Sequence, residues 1–224
     1  YMWTQSTGWQ DITPAQFVGS DWVEVTDVSD DGNTWLGLNN GFTGTPGYFV
    51  ASGSDVTMLT APNGFGFSSV SAVNATGNIA VGGVTFGPTV RTQPAIWTNG
   101  VATVLPPVNG FQSSVLVDVS TDGGVAVGFA QVFDPLSSET PFVWTAASGS
   151  KPLTDYASDF GISLPSNVLG YLPSVSISGD GTVISGAARE RIESMITAGV
   201  AEGAQPILDG RGAVVEGLEQ GSFV

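Results

Sequence analysis

The sequence predicts an all-β fold: a β-propeller-like array of four four-stranded antiparallel blades followed by a short C-terminal helix. Three observations predict it. One strand–turn–strand phrase occurs four times, as DVSDDGNTWLGL from Asp27, AVNATGNIAVGG from Ala72, DVSTDGGVAVGF from Asp118 and SISGDGTVISGA from Ser176. Separate landmarks recur with one period of about 47 residues. Finally, 31 Gly and 13 Pro in 224 residues, with 42% apolar residues, suit many short strands and turns.

Each unit holds four short runs. The first is centred on an aromatic, at Trp3, Phe49, Trp97 and Trp144, and in the last three units a proline stands three residues earlier, at Pro46, Pro94 and Pro141. Proline cannot donate to a ladder, so it belongs before a strand or on an edge. The second run carries Ile12, Leu59, Leu105 and Leu153 and is joined to the first by turn sequences such as TGWQD, SGSD and NG. The third run alternates apolar and polar residues, as in SVSAV and WVEVTDV, which is the pattern of a half-buried strand.

A turn glycine follows, at Gly32, Gly77, Gly123 and Gly181, where a positive φ is needed, with Asp or Asn just before it to cap the turn. Five residues later, inside the fourth run, come Gly37, Gly82, Gly128 and Gly186, where a backbone or an aromatic ring can approach closely. The repeats span 1–188, as units of about 1–46, 47–93, 94–140 and 141–188, each read as a meander. One such sheet cannot bury both faces, so the units must stack, and a period of 40–50 residues with four strands matches propeller blades.

The fourth unit is longer by about 12 residues, within 155–174. This insertion is read as a binding loop carrying Asp155, Tyr156, Asp159, Phe160 and Tyr171, or else as a packing loop or short helix that covers a blade edge. Residues 189–224 form a C-terminal helix and tail, with Ile192, Met195, Ile196 and Val200 on one helical stripe.

Composition removes most chemistries. Without Cys or His there is no thiol nucleophile, thiolate or imidazole metal site, or Ser-His-Asp triad. A net charge of −15 argues against nucleic acid and anionic membranes. No run approaches the roughly 18 apolar residues of a membrane helix. The opening YMWT, with no signal peptide visible, reads as a mature or trimmed product.

Carboxylates are what remains. Asp30, Asp31, Asp122 and Asp180 occupy equivalent turns, so they are read as turn staples spread around a rim. A calcium ion held by such a turn with backbone carbonyls is the sharper alternative, and DDG at Asp30 its best candidate, although it lacks the spacing of a calcium loop. No catalytic residue and no cofactor other than calcium is expected. Trp3, Trp97 and Trp144 are read as core, and Trp22 as filling the seam of the first unit rather than as an exposed sugar platform.

The residues Ala95, Trp97, Thr98, Gly100, Leu105, Val119, Ser120, Asp122, Gly123, Val127 and Gly128, with their counterparts in the other units, resemble the HAF-type extracellular repeats of bacterial surface proteins. The resemblance covers about 1–188 and departs from the pattern at Phe49, Thr76 and Ser185. It implies propeller-like blades in a secreted protein or autotransporter passenger. SDDGNTW from Ser29 is also similar to the Asp box of sialidase-type propellers, but the repeats hold one arginine, Arg91, where a sialidase needs a cluster.

Together these features point to a non-enzymatic extracellular or cell-surface module, adhesin-like, that recognises protein or glycan partners or self-associates through its blade edges. The alternatives are a structural subunit of a surface filament or virion, and a glycan-active hydrolase or lyase using carboxylates such as Asp155 and Asp159.

Overall fold

The structure is a computed structural model and describes residues 2–4, 8–17, 22–29, 31–39, 47–86, 91–132, 139–164 and 175–181. Tyr171, Asp30 and the expected C-terminal helix and tail lie outside the described residues.

The described chain is all-β apart from a 3-10 turn at Ala15–Phe17 and one short helix, α1 (Leu153–Ser158). A hairpin, β1 (Met2–Thr4) and β2 (Gly8–Gln10), is followed by three antiparallel four-stranded meanders. The first is β3 (Val23–Val28), β4 (Thr34–Asn39), β5 (Gly47–Ser52) and β6 (Asp55–Met58). The second is β7 (Phe65–Val73), β8 (Ile79–Phe86), β9 (Thr92–Thr98) and β10 (Val101–Val104). The third is β11 (Ser113–Val119), β12 (Val125–Gln131), β13 (Thr140–Thr145) and β14 (Gly149–Pro152).

These sheets straddle the repeat units read from the sequence. Each takes the last two runs of one unit and the first two of the next. A period fixes the spacing of strands but not its phase. Both hairpins of a unit have turn chemistry, so either grouping fits the pattern.

The sheets stack in chain order. β7 packs on β3 and β4, and β11 packs on β7, β8 and β9. One apolar core fills each seam. Leu36, Val50, Val70, Ala80 and Trp97 lie between the first and second sheets. Val81, Ile96, Leu116, Ala126 and Phe142 lie between the second and third. Val127 and Val143 meet Val175, Ile177 and Tyr156 on the far side of the third. On the near side of the first, Phe17, Trp35 and Phe49 form the fourth core, with ring centroids 4.6 and 5.2 Å apart.

Trp97 is fully buried, as its repeat position requires, and Trp144 is partly buried against the same core that holds Phe142. The side chain of Trp3 is not described. Trp22 departs from expectation: it is 54% exposed, and Trp35 fills the first seam instead.

Glycines inside the strands mark close approach between neighbouring strands of one sheet. A Cβ on Gly82 would strike the Ser69 carbonyl and lie 2.8 Å from the Val70 Cα, and one on Gly128 would strike the Val115 carbonyl and lie 2.9 Å from the Phe142 ring. At Gly37 the obstacle is the Phe49 ring. The turn glycines lie against the preceding sheet, Gly77 on Thr34, Gly123 on Ile79 and Gly181 on Val125, so the stacking continues into the fourth repeat.

Candidate functional site: a cavity between the repeated turns

The four repeated turns share one hydrogen-bond pattern. In the first, the Ser29 hydroxyl donates to Asp31 Oδ1 at 2.7 Å, the Asn33 N–H donates to the same oxygen at 2.9 Å, and the Thr34 N–H donates to Ser29 Oγ at 3.0 Å. The third repeats it with Ser120, Asp122, Gly124 and Val125 at 2.7, 2.8 and 3.0 Å. In the fourth, the Ser178 hydroxyl donates to Asp180 Oδ1 at 2.6 Å. The second substitutes Asn74, whose Oδ1 accepts the Ile79 N–H at 3.0 Å. The backbone N–H groups of Asn33 and Gly124, and then the Ser29 and Ser120 hydroxyls, hold the Asp31 and Asp122 carboxyls below the ordinary carboxylate value. Asp31, Asp122 and Asp180 are thus turn staples, and no three metal-ligating side chains gather among the described residues.

The turn ends of the inner strands converge. β3, β7 and β11, with Ile177 and Gly179 of the fourth repeat, enclose a cavity of about 160 Å³ lined by Asp27, Asn74, Asp118 and Thr121 among others. The residues bringing them together are Asp27 and Asp118. Asp27 Oδ2 accepts the Val73 N–H at 2.8 Å, and Asp118 Oδ2 accepts the Ile177 N–H at 2.8 Å. Each carboxylate therefore holds the equivalent inner strand of the next repeat. Between the second and third repeats, where Ala72 stands at this position, the Asn74 amide donates to the Thr121 carbonyl at 3.3 Å; between the third and fourth, the Thr121 N–H also donates to the Gly179 carbonyl at 2.7 Å.

The aiming of these side chains has a local cause. The ladder shifts between Val25 and Asp27, between Val70 and Ala72, and between Leu116 and Asp118. A bulge at the same position of these three strands bends each and re-aims the residue that follows. Sequence reasoning missed Asp27 and Asp118. The visible signal was Asp two residues before the turn Ser in the first and third units, but its partner lies a whole repeat away.

The described insertion residues stand apart from this cavity. α1 packs on β13 and β14 and so covers the outer edge of the third sheet. Asp159 pairs with Lys151 at 2.6 Å, tying the end of the helix to β14. The Tyr156 and Phe160 rings meet at 5.2 Å; Tyr156 packs into the core while Phe160 is 66% exposed. Asp155 lies in the first turn of α1.

No known protein family matches the chain. Over 55 residues, a quarter of the chain, it is 49% identical to a probable methylmalonate-semialdehyde/malonate-semialdehyde dehydrogenase [acylating], mitochondrial, of Drosophila melanogaster, and 44% identical to the same enzyme of Anopheles gambiae. The match spans about 10% of those relatives, and so short a segment brings no activity with it. Among solved structures, the chain is similar to TolB from Acinetobacter baumannii over 70% of its length and 35% of that chain, with a TM-score of 0.44 at 18% identity. It is similar to a putative TolB from Agrobacterium tumefaciens over 73% of its length and 52% of that chain, with a TM-score of 0.44 at 12% identity.

Proposed function

We propose that the chain is a non-enzymatic binding module built as a four-bladed ring, working outside the cell or on its surface, and recognising a protein or glycan partner on the face that carries the repeated turns. The observation that carries this reading is the cavity between the repeated turns, to which all four repeats contribute at equivalent positions. Its two carboxylates already hold backbone N–H groups of the next repeat, which suits a rigid scaffold better than an acid/base pair. The chain contains no His or Cys to replace them. Location rests on the resemblance of the repeat phrase to HAF-type repeats.

The edges favour a binder over a filament subunit. β6 and β10 are four residues long, and β14 is covered by α1; short or covered edges resist strand pairing between chains. The test pairs binding with turnover. The chain is screened against immobilised glycans and candidate surface proteins, while the same glycans are followed for cleavage. Binding without cleavage supports the reading; cleavage abolished by Asp27→Asn or Asp118→Asn overturns it.

A further inference from the structure

Two seams present the same repeat positions with opposite results. Between the first and second sheets the chain leaving β6 turns inward. The Thr60 N–H and hydroxyl each donate to the Gly100 carbonyl at 3.0 Å, Thr60 bridges to Val101, and the Trp97 indole N–H donates to the Thr60 carbonyl at 2.9 Å. One repeat earlier the counterparts are Thr13 on the chain leaving β2, the turn Gly53–Ser54 between β5 and β6, and Phe49. The Phe49 ring has no N–H to donate, and the Thr13 N–H turns to Asp11 Oδ1 at 2.9 Å. Over the Phe17–Trp35–Phe49 core, this seam leaves a cleft of about 780 Å³ among the described residues, between the chain leaving β2 and the turns at Gly32–Asn33 and Ser52–Ser54, within the size range of small-molecule sites.

The lining defines the ligand class. Thr13, Ser52 and Ser54 bring short hydroxyls, Asn33 a carboxamide oxygen, its Nδ2 donating to Asp31 Oδ2 at 3.0 Å, and Asp11 a single carboxylate, over a floor closed by the buried Trp35. No Lys or Arg lines it among the described residues, so an anion would meet only Asp11. Short neutral hydrogen-bonding groups without a cation suit a neutral ligand with many hydroxyls. We infer that this cleft binds a neutral glycan segment of a few sugar units; the inference rests on the binding-module reading and names its ligand and place.

The test is calorimetric titration of the full chain with neutral di- to tetrasaccharides built on glucose, galactose and N-acetylglucosamine, repeated with Ser54→Trp, which fills the cleft, and with Asn33→Ala. Ser54 is an exposed turn residue, and melting curves verify that each variant is folded. Expected is binding by the native chain that Ser54→Trp weakens about tenfold or more and Asn33→Ala several-fold. If Ser54→Trp does not fold, Asn33→Ala combined with Ser52→Val takes its place. Binding unchanged in the variants overturns the cleft and leaves the module reading intact. No binding of any of these sugars overturns the inference, while the screen of surface proteins still tests the module. Cleavage of the sugar instead of binding overturns the module reading itself.

Discussion

Asp118 and Ile177 are 59 positions apart, yet the carboxylate of one accepts the backbone N–H of the other at 2.8 Å, just as Asp27 accepts from Val73. A hydrogen bond to a charged acceptor contributes about 1.5–3 kcal/mol. Asp118→Ala and Asp27→Ala are expected each to lower unfolding stability by about 1–3 kcal/mol in urea titrations, the backbone N–H losing its partner. Asp→Asn, which keeps an acceptor, is expected to lose less than Asp→Ala at both sites. Equal losses would mean that the bond contributes nothing.

Acid acts through the turns. Asp31 and Asp122 are held below the ordinary value of 3.8 by backbone N–H groups and serine hydroxyls. Because folding lowers these values, their stabilisation is complete above that pH and is lost as pH falls through the depressed folded values. With no histidine to titrate between pH 5 and 8, the melting temperature is expected to stay level there and to fall below about pH 4. A drop between pH 5 and 7 would contradict this.

Gly128→Ala tests the close approach of the strands. The added methyl would meet the Val115 carbonyl and the Leu116 Cα, both backbone, and backbone cannot swing aside as a side chain can. The expected cost is about 1–3 kcal/mol, with Gly82→Ala similar. Gly149→Ala meets nothing among the described residues and is destabilised only through its φ of +67°, so its melting temperature should fall less.

Trp97→Phe makes the second seam resemble the first. Loss of the indole N–H leaves the Thr60 carbonyl without that donor, and the expected loss is about 1 kcal/mol. Amide exchange at Thr60 and Val101 should quicken. The same substitution at Trp144, for which no such bond is seen among the described residues, is the comparison.

Much of this architecture was legible because it is local. The Ser-x-Asp-Gly turns announce themselves within six residues, and Gly82 and Gly128 mark close approach by lacking a side chain. The phase of the sheets was not legible, because the turn after Val28 and the turn after Ser52 look alike to a pattern search. The roles of Asp27 and Asp118 were hidden for a different reason: each acts across a whole repeat, and the bulge that aims it leaves no residue signature. The insertion was half legible. Its covering of the third sheet by α1 was one of two readings, whereas the pairing of Asp159 with Lys151 depends on helix length.

The most direct measurement is amide hydrogen exchange at Val73 and Ile177 in the native chain, repeated in Asp27→Ala and Asp118→Ala. Both amides are predicted to be protected, with Val73 losing protection only in the first variant and Ile177 only in the second. Exchange at both sites as fast as in exposed loops of the native chain would contradict inner strands joined around a common cavity.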